Sequence, residues 1–149
     1  MNAAQPAPSI MYVVKQLESA SRAALDELLR PAGVTALQYT ALTVLERRPD
    51  MSQTDLARQS FVRVQSAADL VSALVRRGLV TRRKDPDGGR RLLLSLTAEG
   101  RAFLAEYVPQ VLAIEDRMLE GLDPADRQAF VSVLRSCSDN LRAGLVQHR

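Results

Sequence analysis

Residues Leu56 to Leu79 read LARQSFVRVQSAADLVSALVRRGL, and Val80 to Gly100 continue VTRRKDPDGGRRLLLSLTAEG. The first stretch divides into a short apolar piece around Leu56 and Ala57, a four-residue connection from Ser60 to Arg63, and a longer piece. In that longer piece Ala67, Leu70, Val71, Leu74 and Val75 keep the three-and-four spacing of an amphipathic helix. Ser52 is placed to cap the short helix, which runs to about Gln59, and Gly78 ends the longer one. Two short helices joined by four residues are the layout of a helix-turn-helix. The period then changes. Leu79 to Lys84 and Arg90 to Thr97 flank Asp85-Pro86-Asp87-Gly88-Gly89, and Leu92, Leu94 and Leu96 alternate with Arg91, Leu93 and Ser95. Alternation on either side of a cluster of turn formers predicts a β-hairpin. A hairpin directly after a helix-turn-helix makes a winged helix.

Upstream, Ile10, Val13, Val14, Leu17, Ala20, Ala24, Leu25 and Leu28 carry a helical stripe that Pro31 and Gly33 terminate. Thr35 caps a second helix with Leu37, Ala41, Val44 and Leu45 on one face, ending near Arg48 and Pro49. Downstream, Thr97 opens a long helix through Phe103, Leu104, Val108, Val111, Leu112, Met118 and Leu119. Pro109 inside it predicts a kink or a division into two pieces. Asp123 followed by Pro124 opens the last helix, whose stripe is Phe130, Val133, Leu134, Cys137 and Leu141. Cys137 on that stripe is expected to be buried and inert.

The fold class is therefore mainly α with a small β-hairpin wing. A flexible arm is expected over 1–9, a dimerisation helix over 10–33, a winged helix-turn-helix over 34–100, and C-terminal dimerisation helices over 101–149, in a single compact domain overall. The terminal helices hold more apolar surface than a small wing domain covers, which predicts pairing with a second copy.

Composition agrees and excludes much. With 149 residues, 46% hydrophobic and 25% charged, the chain has the length and balance of one globular domain rather than a disordered one. At 4% aromatic and no Trp, the core must come from Leu, Val and Ala, which suits packed helices. One Cys and one His supply neither a disulfide nor a zinc cage, so no metal or other cofactor is expected. There is no nucleotide-binding glycine loop and no Gly-x-Ser-x-Gly elbow, and His148 stands almost at the end of the chain, so an enzyme is disfavoured. Without a span of roughly 18 apolar residues or a basic leader, a cytoplasmic protein is expected, with no membrane partner. The charge is concentrated. From Arg76 to Arg91 seven basic residues face two acidic ones, and the remainder of a chain of formal net charge +3 is slightly acidic. Such a cluster beside a helix-turn-helix points to a polyanion, double-stranded DNA.

The run from Val34 to Gly100 resembles the MarR-type winged-helix transcriptional regulators. The resemblance rests on VTALQYTALTVL as the family's second helix, Leu56-Ala57 opening the helix-turn-helix, Arg77-Gly78-Leu79-Val80 closing the recognition helix, an Asp-Pro-Asp wing rich in Arg, then Leu96-Thr97 and Gly100. It departs from the family at Phe61, where Gly is common in the turn, and at Arg63, where a capping Ser is common. Asp69 stands at a position that is frequently basic, and Gly88 stands where the wing Asp usually does, with Asp87 one residue earlier.

Reading a major groove needs short polar or forked side chains on the first half of the second helix. Arg63, Gln65, Ser66 and Asp69 hold those positions. Gln suits adenine, Arg guanine, and an acid can accept from cytosine, while Asp69 can instead orient a neighbouring Arg. The resemblance assigns Arg90 to the minor groove, with Arg91, Arg82, Arg83 and Lys84 on nearby phosphates and Asp87 steadying Arg90. It also implies a small, aromatic or anionic effector in a cleft beside the dimer helices, for which Tyr12, Lys15, Arg22 and Tyr39 are candidates. The expected function is a ligand-responsive repressor that binds a pseudo-palindromic operator as a homodimer. Two alternatives stay open on sequence alone: a non-specific architectural DNA-binding protein, and a winged-helix protein-interaction module.

Overall fold

The computed structural model describes residues 7–146. Helix α1 spans Ile10–Leu29 and runs into a single 3₁₀ turn, Arg30–Ala32. There follow α2 (Ala36–Arg47), α3 (Gln53–Gln59), α4 (Val64–Arg76), β1 (Val80–Lys84), β2 (Leu92–Leu96), α5 (Ala98–Met118) and α6 (Pro124–Val146). The chain divides into two compact units between Val111 and Leu112.

Most helix starts are set by a side chain that accepts an otherwise orphaned amide. The Ser9 hydroxyl accepts from the Tyr12 amide at 3.2 Å. Thr35 and Gln38 form a reciprocal capping box, with bonds of 3.1 and 3.0 Å. Ser52 accepts from Asp55, Thr97 from Gly100 and Asp123 from Asp126, at 3.2, 3.0 and 2.8 Å. Helix α4 differs: Arg63 stands at its N-cap and makes no side-chain cap bond.

The first unit holds the core. Leu29, Val34, Leu42, Leu45, Leu56, Val71, Leu74, Leu94, Leu96 and Leu104 are buried together, so α1 to α4, the hairpin and the first half of α5 share one apolar centre. The two strands pair antiparallel in the register Val80↔Leu96 to Lys84↔Leu92. Met51 adds an isolated bridge to Leu94, its carbonyl accepting from the Leu94 amide at 2.8 Å. Strict alternation fails in β2, which begins at Leu92 rather than Arg90. Leu92, paired with Lys84 at the tip end of the ladder, is 45% exposed, whereas Leu93 is only 7% exposed although it faces away from Leu94 and Leu96. Gly100 is sterically required: a Cβ there would lie 2.2 Å from the Leu79 carbonyl oxygen. The adjoining Thr97 hydroxyl donates to Gly78 O at 2.5 Å and its amide to Leu79 O at 3.1 Å, which docks the start of α5 on the junction of α4 and β1.

Helix α5 runs as one element through Pro109, so of the two expected outcomes, a kink or a division into two pieces, the division does not occur. Pro109 nevertheless offers no amide to the preceding turn. The second unit comprises the end of α5 and α6, where Arg127 pairs with Asp116 at 2.8 Å. None of its described residues is buried. The expectation of a buried Cys137 is therefore corrected: the thiol is exposed, as are its stripe neighbours Val133, Leu134 and Leu141. Ile10 to Val14 of α1 are exposed as well. Residues 1–6 of the expected arm, and His148, lie outside the described residues. Among the described residues no helix is long and apolar enough to cross a membrane.

Candidate nucleic-acid interface

Helix α4 has two unlike faces, as its apolar spacing demands. Ala67, Val71 and Leu74 are buried, and they anchor the helix on the core. Arg63, Val64, Gln65, Ser66, Ala68 and Asp69 are exposed along its first two turns. The side chains of Arg63, Gln65, Ser66 and Asp69 have no intramolecular partner among the described residues, so all four sequence-expected positions come together on one accessible surface. Sequence reading missed Val64 and Ala68 on the same surface. They are apolar groups of a kind that can meet a thymine methyl, and only the phase of the helix shows that they face outward.

The hairpin cations divide into held and unheld. Arg82 donates to the Ser72 hydroxyl at 3.0 Å, tying β1 to α4. Arg83 pairs with Asp50 at 2.9 Å, and Asp50 also accepts from the Ser95 hydroxyl at 2.7 Å. Arg91 reaches Asp55 at 3.3 Å and Asp85 at 3.9 Å. Lys84 and Arg90 make no ion pair or side-chain hydrogen bond among the described residues and stand exposed near the tip. The expected contact of Asp87 with Arg90 is not made: it is the Asp85 carboxylate that closes the turn, accepting the Asp87 amide at 2.9 Å. An acid at the last position before the turn can reach back over it, and Asp87, within the turn, faces out.

Asp50 organises this corner. It sits in the loop between α2 and α3 with φ of 62°, a left-handed conformation that Asp tolerates better than most residues. Its amide donates to Leu94 O at 3.0 Å. The Ser95 hydroxyl, and then the Arg83 guanidinium, hold its carboxyl below the usual Asp value. The ties of Asp50 to Arg83 and of Asp55 to Arg91 carry no local sequence signal, because the partners lie 33 and 36 residues apart.

The effector candidates are not brought together. Tyr39 is 6% exposed and belongs to the core, which corrects its assignment to a cleft: it is buried in the same apolar cluster as Leu42 and Leu45. Tyr12 and Arg22 are ten residues apart on one helix, a rise of roughly 15 Å. Lys15 and Arg22 share Glu18, at 3.5 and 3.4 Å. Only Arg22 borders the groove between α1 and α2. That groove has one cavity of about 690 Å³, lined in part by Arg22, Asp26, Arg30 and Leu37. A neighbouring one of about 410 Å³ adds Leu25, Thr40, Ser60 and Phe61. Sequence reading missed all of these except Arg22.

A core-anchored helix with an open polar face, beside a two-stranded hairpin that ends in unpaired cations, defines a winged helix-turn-helix of the DNA-binding kind. Comparison with known proteins makes this specific. Residues 32–91 match the model of the MarR family. The chain is 29% identical over 134 residues to the HTH-type transcriptional repressor Rv2887 of Mycobacterium tuberculosis, covering 90% of this chain and 96% of that one. Its fold is similar to that of the transcriptional repressor CouR bound to a 23-mer DNA duplex, with TM-score 0.77, 28% identity and coverage of 87% and 92% of the two chains. It is equally similar to Bordetella bronchiseptica BpsR, whose structure concerns regulation of DNA binding by 6-hydroxynicotinic acid, with TM-score 0.78, 26% identity and coverage of 87% and 98%. These findings support a MarR-type winged-helix transcriptional regulator that binds DNA.

Proposed function

We propose that the protein is a ligand-responsive repressor that acts in the cytoplasm by binding, not catalysis. As a homodimer it would place α4 of each copy in successive major grooves of a pseudo-palindromic operator. The observation that carries this reading is the open face of α4, where Arg63, Gln65, Ser66 and Asp69 stand free of intramolecular partners while the opposite face is locked in the core. In this reading Gln65 and Arg63 contact base edges. Arg90 and Lys84 meet the minor groove and its phosphates, and Arg82, Arg83 and Arg91 hold the wing in place while adding positive potential. The exposed apolar residues of α1 and α6 support a second copy as their cover. Ligand response is supported by the α1–α2 groove with Arg22 at its edge, and by the effector named for the Bordetella relative.

The deciding experiment is gel retardation of the DNA around the protein's own coding region at moderate salt, competed with random duplex. Selective retention of the first DNA is expected. Equal retention of both would indicate an architectural binder, and no retention of either would indicate a protein-docking module; each would overturn the proposal.

A further inference from the structure

Helix α4 buries Ala67, Val71 and Leu74. With about 3.6 residues to a turn, the side of the helix opposite these three runs through Gln65, Asp69, Ser72 and Arg76. Gln65, Asp69 and Arg76 are exposed, and the Ser72 hydroxyl accepts from Arg82 of β1 at 3.0 Å, so this is the line that the wing flanks.

Asp69 stands in the middle of that line with no ion pair or side-chain hydrogen bond among the described residues. Pairing along the helix is closed to it: the positions three and four residues away are Gln65, Ser66, Ser72 and Ala73, none of them a cation. Arg82, which reaches this line, bonds Ser72 instead. Asp69 also lies beyond the first turn of α4, where a carboxylate would gain from the helix N-terminus. Its charge therefore serves no contact among the described residues of the chain.

A major groove makes such an acid selective. Carried between two rows of phosphates, a carboxylate is repelled whatever the sequence. Only an amino group on a base edge offsets the repulsion. Guanine and thymine present acceptors there, and adenine sets its N7 acceptor beside its amino group, whereas the cytosine edge offers the N4 donor alone.

We propose that Asp69 is a specificity-determining residue: it accepts from the N4 amino group of one cytosine in each half of the operator and is repelled by the other bases at that position. It thus lowers affinity for DNA in general while raising selectivity, the repulsive side of discrimination. The proposal rests on the regulator reading and names the base that the middle of α4 selects.

The test selects binding sites from a random-sequence duplex library with the full chain, wild type and Asp69→Ala. Ala is the better helix former and the site is exposed, so the variant should melt no lower than wild type. Wild type should enrich half-sites with one fixed cytosine, and Asp69→Ala half-sites in which that position is free. On the wild-type site Asp69→Ala should bind roughly tenfold more weakly, toward the low end of what a good base contact contributes. Its affinity for random duplex should instead rise severalfold at low salt, where repulsion is least screened. A residue with a merely structural role would not move the two affinities in opposite directions. N4-methylcytosine at the fixed position, which replaces the groove-facing amino hydrogen by a methyl group, should weaken wild type and leave Asp69→Ala unaffected. The same site enriched by both proteins, a fixed base other than cytosine, random affinity that falls together with site affinity, or equal sensitivity of both proteins to N4-methylcytosine overturns the assignment of Asp69 alone. Enrichment of no sequence by wild type overturns the regulator reading, and this proposal with it.

Discussion

Gly100 and Phe61 show how single residues constrain this fold in opposite ways. At Gly100 the Leu79 carbonyl leaves no room for a methyl group, so Gly100→Ala must push α5 off the junction of α4 and β1. A loss of about 2 kcal/mol or more is expected from the shift in urea midpoint, as for other overpacked sites; an unchanged midpoint would contradict the packing described. Phe61 holds a left-handed backbone at a cost that Gly does not incur. Phe61→Gly should therefore raise the melting free energy by up to about 1 kcal/mol, and a clear loss of stability would show that the exposed ring makes an unrecognised contact. Asp50 gives a pH signature. Its folded pKa is depressed, so its contribution to the wing corner is complete above the unfolded value of about 3.9 and is lost as pH falls through the lower folded value. The carboxyl resonance of Asp50 should titrate below that of an ordinary Asp, and Ser95→Ala should move the midpoint upward. A midpoint at or above the ordinary value refutes the bonds assigned to it.

At the scale of elements, the recognition helix and the wing should fail differently when cut back. Arg90→Ala removes an unpaired cation, so DNA affinity should drop for every sequence and the slope of log affinity against log salt should shrink by about 1. Gln65→Ala should cost about 1 to 3 kcal/mol on the preferred site and much less on random duplex. If both variants weaken specific and random binding alike, α4 is not the reading element. Much of this level was legible beforehand. Helix starts at Thr35, Ser52, Thr97 and Asp123 carried caps readable from residue type, and the Leu spacing of α4 gave its buried face, because both depend on neighbours a few residues apart. The ties between Asp50 and Arg83, Asp55 and Arg91, or Arg82 and Ser72 were not legible. Each joins separate elements, and nothing in a charge run says which members fold back on the protein.

For the whole molecule, the two sets of exposed apolar side chains carry the expectation. Leu141 is exposed on a helix none of whose described side chains is fully buried, so Leu141→Glu should leave the winged helix folded while weakening self-association. Sedimentation should give a dimer for wild type and a shift toward monomer for the variant, and the melting temperature of wild type should rise with protein concentration. A monomer at micromolar concentration would refute the homodimer. Sequence by itself determined the element order, the capped boundaries, the two faces of α4, the basic hairpin and the resemblance to a family, since periodicity, caps and turn chemistry are local. Tertiary structure alone decided that Tyr39 is core, that Cys137 is exposed, that Asp50 and Asp55 occupy some wing cations while Arg90 and Lys84 stay free, and that a buried Ser60 hydroxyl borders the groove beside Arg22. These facts depend on which distant residues meet, and contact between distant residues is set by packing, not by spacing along the chain.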